Sequence, residues 1–183
     1  MKKPLVMILI MMLTGLTLAD DNAGNTCYAE DIEVKKGTTF SVPVVLENSD
    51  SLIALQLPIY YRSEDVDLVC DSVTFADTRL AGESLTFFKI EPVGKVVFFA
   101  YMSMNQIDPN KSLLNPGKGS IANLWFTAGK DIKSGVVTLD SGPHAFYPHE
   151  WIDYSYHFWV RTDTPEMTAD VDCRYKQSGI KVK

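Results

Sequence analysis

Cysteine is scarce in this chain. Only Cys27, Cys70 and Cys173 occur among its 183 residues, and no two of them have Cys-x-x-Cys spacing. Zinc sites and thiol redox motifs commonly rely on that spacing. The cysteine content therefore argues against a structural zinc site or a redox centre, and any disulfide would leave one thiol over.

Basic residues are also in the minority. Seventeen Lys and Arg face twenty-three Asp and Glu, which gives a formal net charge of −6 at pH 7. Nucleic-acid binding depends on clustered cations that neutralise phosphates. The charge balance therefore argues against a nucleic-acid partner and favours a soluble protein.

Catalytic fingerprints are missing. The chain has no nucleophile elbow, P-loop, His-Glu-x-x-His or dinucleotide-binding motif. Acidic pairs such as Glu64-Asp65 and Asp170 with Asp172 lie at predicted turns, where solvated carboxylates are expected. We therefore expect that the protein is not an enzyme.

Metal-binding patterns are equally weak. His144, His149 and His157 are the only histidines, and their spacing matches no zinc motif. The run Asp108-Pro109-Asn110 is better explained by a turn than by a calcium loop. We expect no metal and no cofactor in this chain.

The first 19 residues have the three-part pattern of a secretory signal peptide. Lys2 and Lys3 precede an apolar run from Pro4 to about Leu18, and Ala19 is an acceptable cleavage residue. The apolar run is shorter than the roughly 20 residues that a membrane-spanning helix needs. The sequence thus predicts a signal peptide over 1–19 and one exported domain over 20–183, extracellular or periplasmic, with no membrane anchor after cleavage.

After the signal, no stretch keeps apolar residues at helical spacing for three turns. Apolar residues alternate instead, as in 40–46, 53–59 and 95–102, and Gly, Pro and Asn turn signals recur about every ten residues. Pro58 predicts an edge strand or a bulge, because proline cannot donate to a ladder. The pattern predicts an all-β sandwich or barrel of about nine strands, with one last strand between 170 and 182.

The order of these segments resembles that of cohesin domains. The segment 34–44 (VKKGTTFSVPV) is similar to the Gly-turn and Val-Pro-Val strand of that family, and 52–61 (LIALQLPIYY) resembles its long strand that ends in an aromatic residue. The segments 65–73, 93–101 and 119–126 are similar to later strands, in the same order. The resemblance covers about residues 30 to 140.

The resemblance implies a nine-stranded jelly-roll β-sandwich that binds a protein partner. Cohesins bind the calcium-loaded dockerin modules of secreted enzymes through one sheet face, so any calcium would belong to the partner. In this chain that face would be built from the strands 66–75, 84–91 and 95–102. Related sandwiches bind polysaccharide, so a carbohydrate-binding module is the alternative function.

The resemblance also bears on the cysteines. The first and last strands of such sandwiches lie side by side and parallel, which makes Cys27 and Cys173 the candidate disulfide. The rival pairing is Cys70 with Cys173. In the first case Cys70 would be a buried thiol.

An aromatic segment is the second candidate site. Residues 144–159 contain all three histidines and two of the three tryptophans. Exposed rings stack on the apolar faces of sugars, whereas rings on the other side of a strand pack into the core. The candidate binding residues of this segment are Phe146, Tyr147, Trp151, Tyr154, Tyr156 and Trp159.

Overall fold

The computed structural model describes residues 24–82, 84–104, 113–142, 157–161 and 168–183. The predicted signal peptide lies outside these residues. The described part contains thirteen strands: β1 (Asn25–Ala29), β2 (Ile32–Val34), β3 (Thr39–Asn48), β4 (Leu52–Arg62), β5 (Val69–Thr74), β6 (Ser84–Glu91), β7 (Val96–Ser103), β8 (Gly117–Thr127), β9 (Gly135–Asp140), β10 (His157–Arg161), β11 (Thr168–Asp170), β12 (Cys173–Lys176) and β13 (Ser178–Val182).

The strands form two sheets, and the predicted all-β sandwich is confirmed. The first sheet has five strands in the order β12-β1-β3-β8-β5. The second has eight: the path β11-β10-β4-β9-β13-β2, with β7 on the other edge of β4 and β6 beyond it. Among the described residues, no helix is long and apolar enough to cross a membrane.

Strand alternation builds the core. Leu55, Leu57 and Ile59 of β4 are fully buried and face the first sheet, where Val42 and Val44 of β3 are also fully buried. Each such side chain contributes about 1.5–3 kcal/mol when it leaves water. One large apolar cluster joins the two sheets, and side chains at alternate positions are left on their outer faces.

Both ends of the chain change sheets. The strands β1 and β12 pair in parallel in the first sheet, while β2 and β13 pair in parallel in the second. The expected single strand near 170–182 is therefore two strands with Gln177 between them. The strand count exceeds nine because such crossings produce short strands, which alternation alone does not separate.

Pro58 lies within β4, in the interior of the second sheet, and not on an edge strand or at a bulge as expected. The Ser141 hydroxyl donates to the Pro58 carbonyl oxygen over 2.6 Å, so Pro58 turns its backbone toward β9 and β10. These strands pair with the same edge of β4, β9 at residues 60–62 and β10 at 52–56. The residue without an N–H thus lies in the gap between them, where no ladder bond is required.

The cysteines form no disulfide among the described residues. The predicted parallel neighbours, β1 and β12, are observed, but Cys173 lies opposite Asn25 while Cys27 lies opposite Tyr175. Diagonal positions two residues apart on parallel strands are about 8 Å apart between Cα atoms, because the strands are about 4.8 Å apart and two residues span about 6.6 Å, so they are beyond the range of an undistorted disulfide. The rival pairing is excluded by topology, because β5 with Cys70 and β12 with Cys173 are at opposite ends of the first sheet.

Candidate functional site

The outer face of the second sheet is formed by the residues of each strand that alternate with the core. On β7 the core residues are Val97, Phe99 and Tyr101, so Val96, Phe98, Ala100 and Met102 point outward. The register between β6 and β7 has no break along its eight pairs, and it places Leu85 opposite Met102 and Phe87 opposite Ala100. Directly opposite side chains share a face, so these residues form one continuous surface.

Large apolar side chains are exposed on this surface. Leu85 is 56% exposed, Phe87 51% and Met102 52%. We call these three residues the apolar strip. A contiguous group of exposed apolar side chains is unusual on a monomer and commonly marks an interaction site.

Buried side chains support the apolar strip from the same face. Phe98 is 2% exposed, and its ring centroid is 6.3 Å from that of Phe87. Val96 and Tyr60 complete a small apolar cluster with Phe98, separate from the main core. The strip therefore rests on packed side chains rather than on flexible polar ones.

The aromatic segment contributes to this same face through β10. Trp159 and His157 lie opposite Ala54 and Gln56 of β4, and their rings stack with centroids 5.1 Å apart. The Nδ1 atom of His157 is 3.5 Å from a carboxylate oxygen of Asp170. This edge of the face, formed by β10 and β11, therefore carries a partly exposed indole and an acidic group.

A polar depression ends the face at the other end of β4. The guanidinium of Arg62 lies 4.0 Å from the centroid of the Tyr60 ring. The depression has a volume of about 440 Å³. Burial raises the pKa of the Tyr60 hydroxyl, so this phenol is protonated at neutral pH. The lining residues are Tyr60, Arg62, Thr138, Asp140, Ser141, Gly142 and Gln177.

The sequence-predicted site residues fall into two groups. Trp159 lies on the outer face of the second sheet, beside the strands that carry the apolar strip. The sheet face and the aromatic segment were two separate candidates, and the structure brings part of each onto one surface. Five other candidates lie outside the described residues: Phe146, Tyr147, Trp151, Tyr154 and Tyr156.

The predicted binding face included one strand, β5, that lies in the other sheet. The expected face combined 66–75, 84–91 and 95–102, but β5 pairs with β8 at the edge of the first sheet. The strands β6 and β7 pair with each other and with β4 in the second sheet. Sequence alternation does not reveal which sheet a strand joins, and β4 with β10 takes the place of β5 on the face.

Residues of the first sheet were also missed. Trp125 is 36% exposed on its outer face, and its indole N–H donates to the Thr74 hydroxyl over 3.0 Å. Nearby, Thr127 bonds to Asp71 and lies 3.1 Å from the Thr39 hydroxyl. This outer face is therefore mainly polar and internally hydrogen-bonded, in contrast to the apolar strip. The alternation of β8 around buried Leu124 and Phe126 was the signal for an outward Trp125.

Glu64 and Asp65 line an open surface depression together with Arg62. Asp67 and Asp65 are exposed and pair with Lys95 and Lys133, over 2.6 and 3.7 Å. Among the described residues, no group of three or more His, Cys, Asp or Glu side chains could hold a metal ion.

Comparison with known proteins identifies similar structures but no similar sequence family. No protein-family profile matches the sequence. No curated protein matches it either. Solved structures do match: the seventh type I cohesin of ScaB from Pseudobacteroides cellulosolvens superposes with a TM-score of 0.65 at 14% identity, over 87% of this chain and 92% of that one.

Two further structures are similar over comparable lengths. A non-cellulosomal cohesin from the archaeon Archaeoglobus fulgidus has a TM-score of 0.62 and 17% identity, over 88% of this chain and 92% of that one. A chain of the type I cohesin–dockerin complex Coh-OlpC-Doc435 from Clostridium thermocellum has a TM-score of 0.65 and 13% identity, over 88% and 95%. The protein therefore has a cohesin-like β-sandwich fold.

Proposed function

We propose that the protein is a non-catalytic binding module that recognises another protein through the outer face of its second sheet. The observation that carries this proposal is the apolar strip, whose three side chains are each more than half exposed. Interface centres are rich in aromatic residues and Met and poor in charge. The His157–Asp170 pair at one edge and the polar depression at Arg62, at the other end of β4, supply polar groups at the margins of the face.

The proposed partner is a dockerin-like module of a secreted protein. The support is the fold: several structures with the same fold are complexes in which a cohesin is bound to a dockerin. The resemblance to cohesins implies that the partner, a dockerin, depends on calcium. The described residues of this chain contain no cluster of side chains that could hold a metal ion. As the resemblance to cohesins implies, we propose that calcium acts on the partner.

A pull-down from the secreted proteins of the source organism tests the partner class. The protein is immobilised and the fraction is applied with calcium or with a chelator, then bound proteins are identified. We expect capture of a protein with a dockerin-like module in calcium only. Capture of no such protein under either condition would contradict the proposal.

Polysaccharide binding is the second candidate, favoured by the partly exposed Trp159 next to Asp170 on the same face. An indole stacks on a sugar ring while a carboxylate accepts from its hydroxyls. Retention on an insoluble polysaccharide, lost in a Trp159→Ala variant and indifferent to chelator, would favour this candidate over the first.

We further propose that residues 1–19 are removed on export and that 20–183 form the functional domain. The supporting observation is the signal-like pattern that ends at Ala19. Intact-mass analysis of the protein from the exported fraction of the source organism tests it. A chain beginning at Asp20 is expected, and a cytosolic chain that retains Met1 would contradict export.

A further inference from the structure

The edge of the second sheet at β6 is long, regular and apolar. β6 has eight residues, pairs with β7 along its full length without a bulge, and contains no proline. Leu85, Phe87 and Phe88, all on this strand, are 56%, 51% and 42% exposed. A flat apolar edge is a template for pairing with another chain, and proteins usually protect such edges.

The other strands that end the two sheets are protected. In the described part of the chain, β2 and β11 have only three residues each. The strand β12 has four residues with exposed Arg174 and Lys176, and β5 has a register break next to exposed Asp71. Short length, charge and bulges are the ordinary devices against edge pairing. Among the described strands that end a sheet, β6 is the longest and pairs without a bulge, and its two charged residues, Lys89 and Glu91, are confined to its last three positions.

The backbone direction of β6 follows from a hydrogen bond at β4. The Tyr61 N–H donates to the Lys95 carbonyl oxygen over 2.9 Å, so the odd residues of β4 point their backbone groups toward β7. Backbone direction alternates along a strand, so even residues of β7 point toward β6, and their partners Leu85, Phe87, Lys89 and Glu91 point back.

The remaining residues of β6 therefore direct their N–H and C=O groups to the open edge. These are Ser84, Thr86, Phe88 and Ile90. Within the described residues, no strand pairs with this edge. The side chains of Thr86, Phe88 and Ile90 are on the core side of the sheet, and none of them is charged.

We propose that the protein forms a symmetric dimer in which β6 pairs antiparallel with β6 of a second copy. A two-fold axis at Phe87 brings Thr86 opposite Phe88 of the second copy and Ser84 opposite Ile90. This register uses all four edge-directed residues in hydrogen-bonded pairs. It also places Phe87 against the Phe87 of the second copy in a non-hydrogen-bonded pair, where side chains are closest.

The chemistry of the strand favours a second copy over an unrelated segment. In the register centred on Phe87, Lys89 lies opposite Leu85 of the second copy, so the two lysines do not face each other. Aromatic cross-strand pairs stabilise sheets, and the identical edge supplies one at the axis. The two outer faces would continue into each other, so that two apolar strips lie side by side. This dimer does not depend on the function proposed above.

Sedimentation velocity over a wide range of protein concentration tests the dimer. We expect a reversible shift from monomer to dimer in the parent protein. Thr86→Pro removes an edge-directed N–H without removing a bond to β7, so it should abolish the dimer while the chain remains folded by circular dichroism. Met102→Lys, on the face but not at the edge, is the matched control and should retain the dimer.

Disulfide trapping identifies the register independently. At a concentration where the parent protein is dimeric, a Phe87→Cys variant should form an intermolecular disulfide with oxidised glutathione as oxidant. Met102→Cys and the parent should form none under the same conditions. A parent that stays monomeric at every concentration overturns the proposal. A dimer that persists in Thr86→Pro and is not trapped at position 87 overturns it as well.

Discussion

Arg79 shows how a single side chain joins segments that are distant in sequence. Its guanidinium donates to the carbonyl oxygens of Leu46, Gly117 and Asn115 and to the side-chain oxygen of Asn48. These acceptors lie at the end of β3 and at the start of β8. The planar fork of an arginine serves several acceptors at once, which an ammonium group cannot do from one position.

We expect Arg79→Met to destabilise the protein by about 2 kcal/mol, because hydrogen bonds from a charged group contribute about 1.5–3 kcal/mol and their acceptors are left unsatisfied. Chemical denaturation measures the change. Lys118→Met is the control, since Lys118 is exposed, pairs with Glu47 and lies over the Tyr28 ring, and its replacement should cost much less stability. Equal losses in the two variants would refute the role of Arg79.

The buried thiols and phenols make the fold sensitive to alkali. Burial raises the pKa of Cys70 and of Tyr61 to about 12 each, and it raises the pKa of Cys27 and Tyr175 as well. Above the ordinary pKa values, 9.0 for a thiol and 10.0 for a phenol, the unfolded chain releases these protons while the folded chain keeps them. Stability should therefore be unaffected by these groups below about pH 8 and should fall between pH 9 and 12.

Thermal melts across this pH range check the direction of the effect. In Cys70→Ala the melting temperature should fall less steeply between pH 9 and 12, because the Cys70 thiol no longer titrates. The cavity left by the missing sulfur lowers stability at every pH. A melting temperature that rises between pH 9 and 11 would contradict the account.

Thiol titration tests the cysteine geometry. Cys27 is fully buried and Cys70 is 3% exposed, whereas Cys173 is partly exposed. In native protein we expect Cys173 to react first with a thiol reagent, and all three thiols to react after denaturation without a reductant. A single reactive thiol in the denatured protein would show that Cys27 and Cys173, or another pair, are joined.

At the scale of one strand, the two faces of β7 have different roles: one packs in the core and the other lies on the proposed binding face. Phe99 is fully buried on the core side, and Met102 is half exposed on the outer side. Phe99→Ala should cost about 3–5 kcal/mol through lost burial and a cavity. Met102→Ser should change stability by about 0.5 kcal/mol or less, as an exposed substitution does. Urea unfolding of the two variants distinguishes these values, and a reversed order would contradict the assignment of faces.

Several elements could be predicted from the sequence because their signals are local. The Gly-turn of the segment 34–44 is present, with Gly37 at φ 75°. The alternation of β3, β4 and β7 identified core residues correctly. Each of these depends on the backbone preferences of a few neighbouring residues or on period-2 burial.

Other features could not be predicted, because they depend on long-range pairing. The register of β1 and β12 determines that Cys27 and Cys173 are diagonal, and a shift of two residues would have placed them opposite each other. The position of Pro58 inside β4 depends on a gap between β9 and β10 that the sequence does not show. For the same reason β5 was assigned to the wrong face.

At the scale of the whole molecule, the two outer faces differ in chemistry. The first sheet presents a hydrogen-bonded polar surface around Trp125, and the second presents the apolar strip next to Trp159. A common core between the sheets fixes both surfaces on one rigid sandwich. This asymmetry is the physical reason for placing partner recognition on the second sheet.

The most direct test is titration calorimetry of the protein with a calcium-loaded dockerin module recovered from its own secreted partner. Phe87→Asp should weaken binding at least about thirtyfold, the factor that corresponds to 2 kcal/mol at an interface centre. Trp125→Ala, on the opposite face, should leave the affinity unchanged. Unchanged affinity in Phe87→Asp together with a loss in Trp125→Ala would contradict the assignment of the binding face.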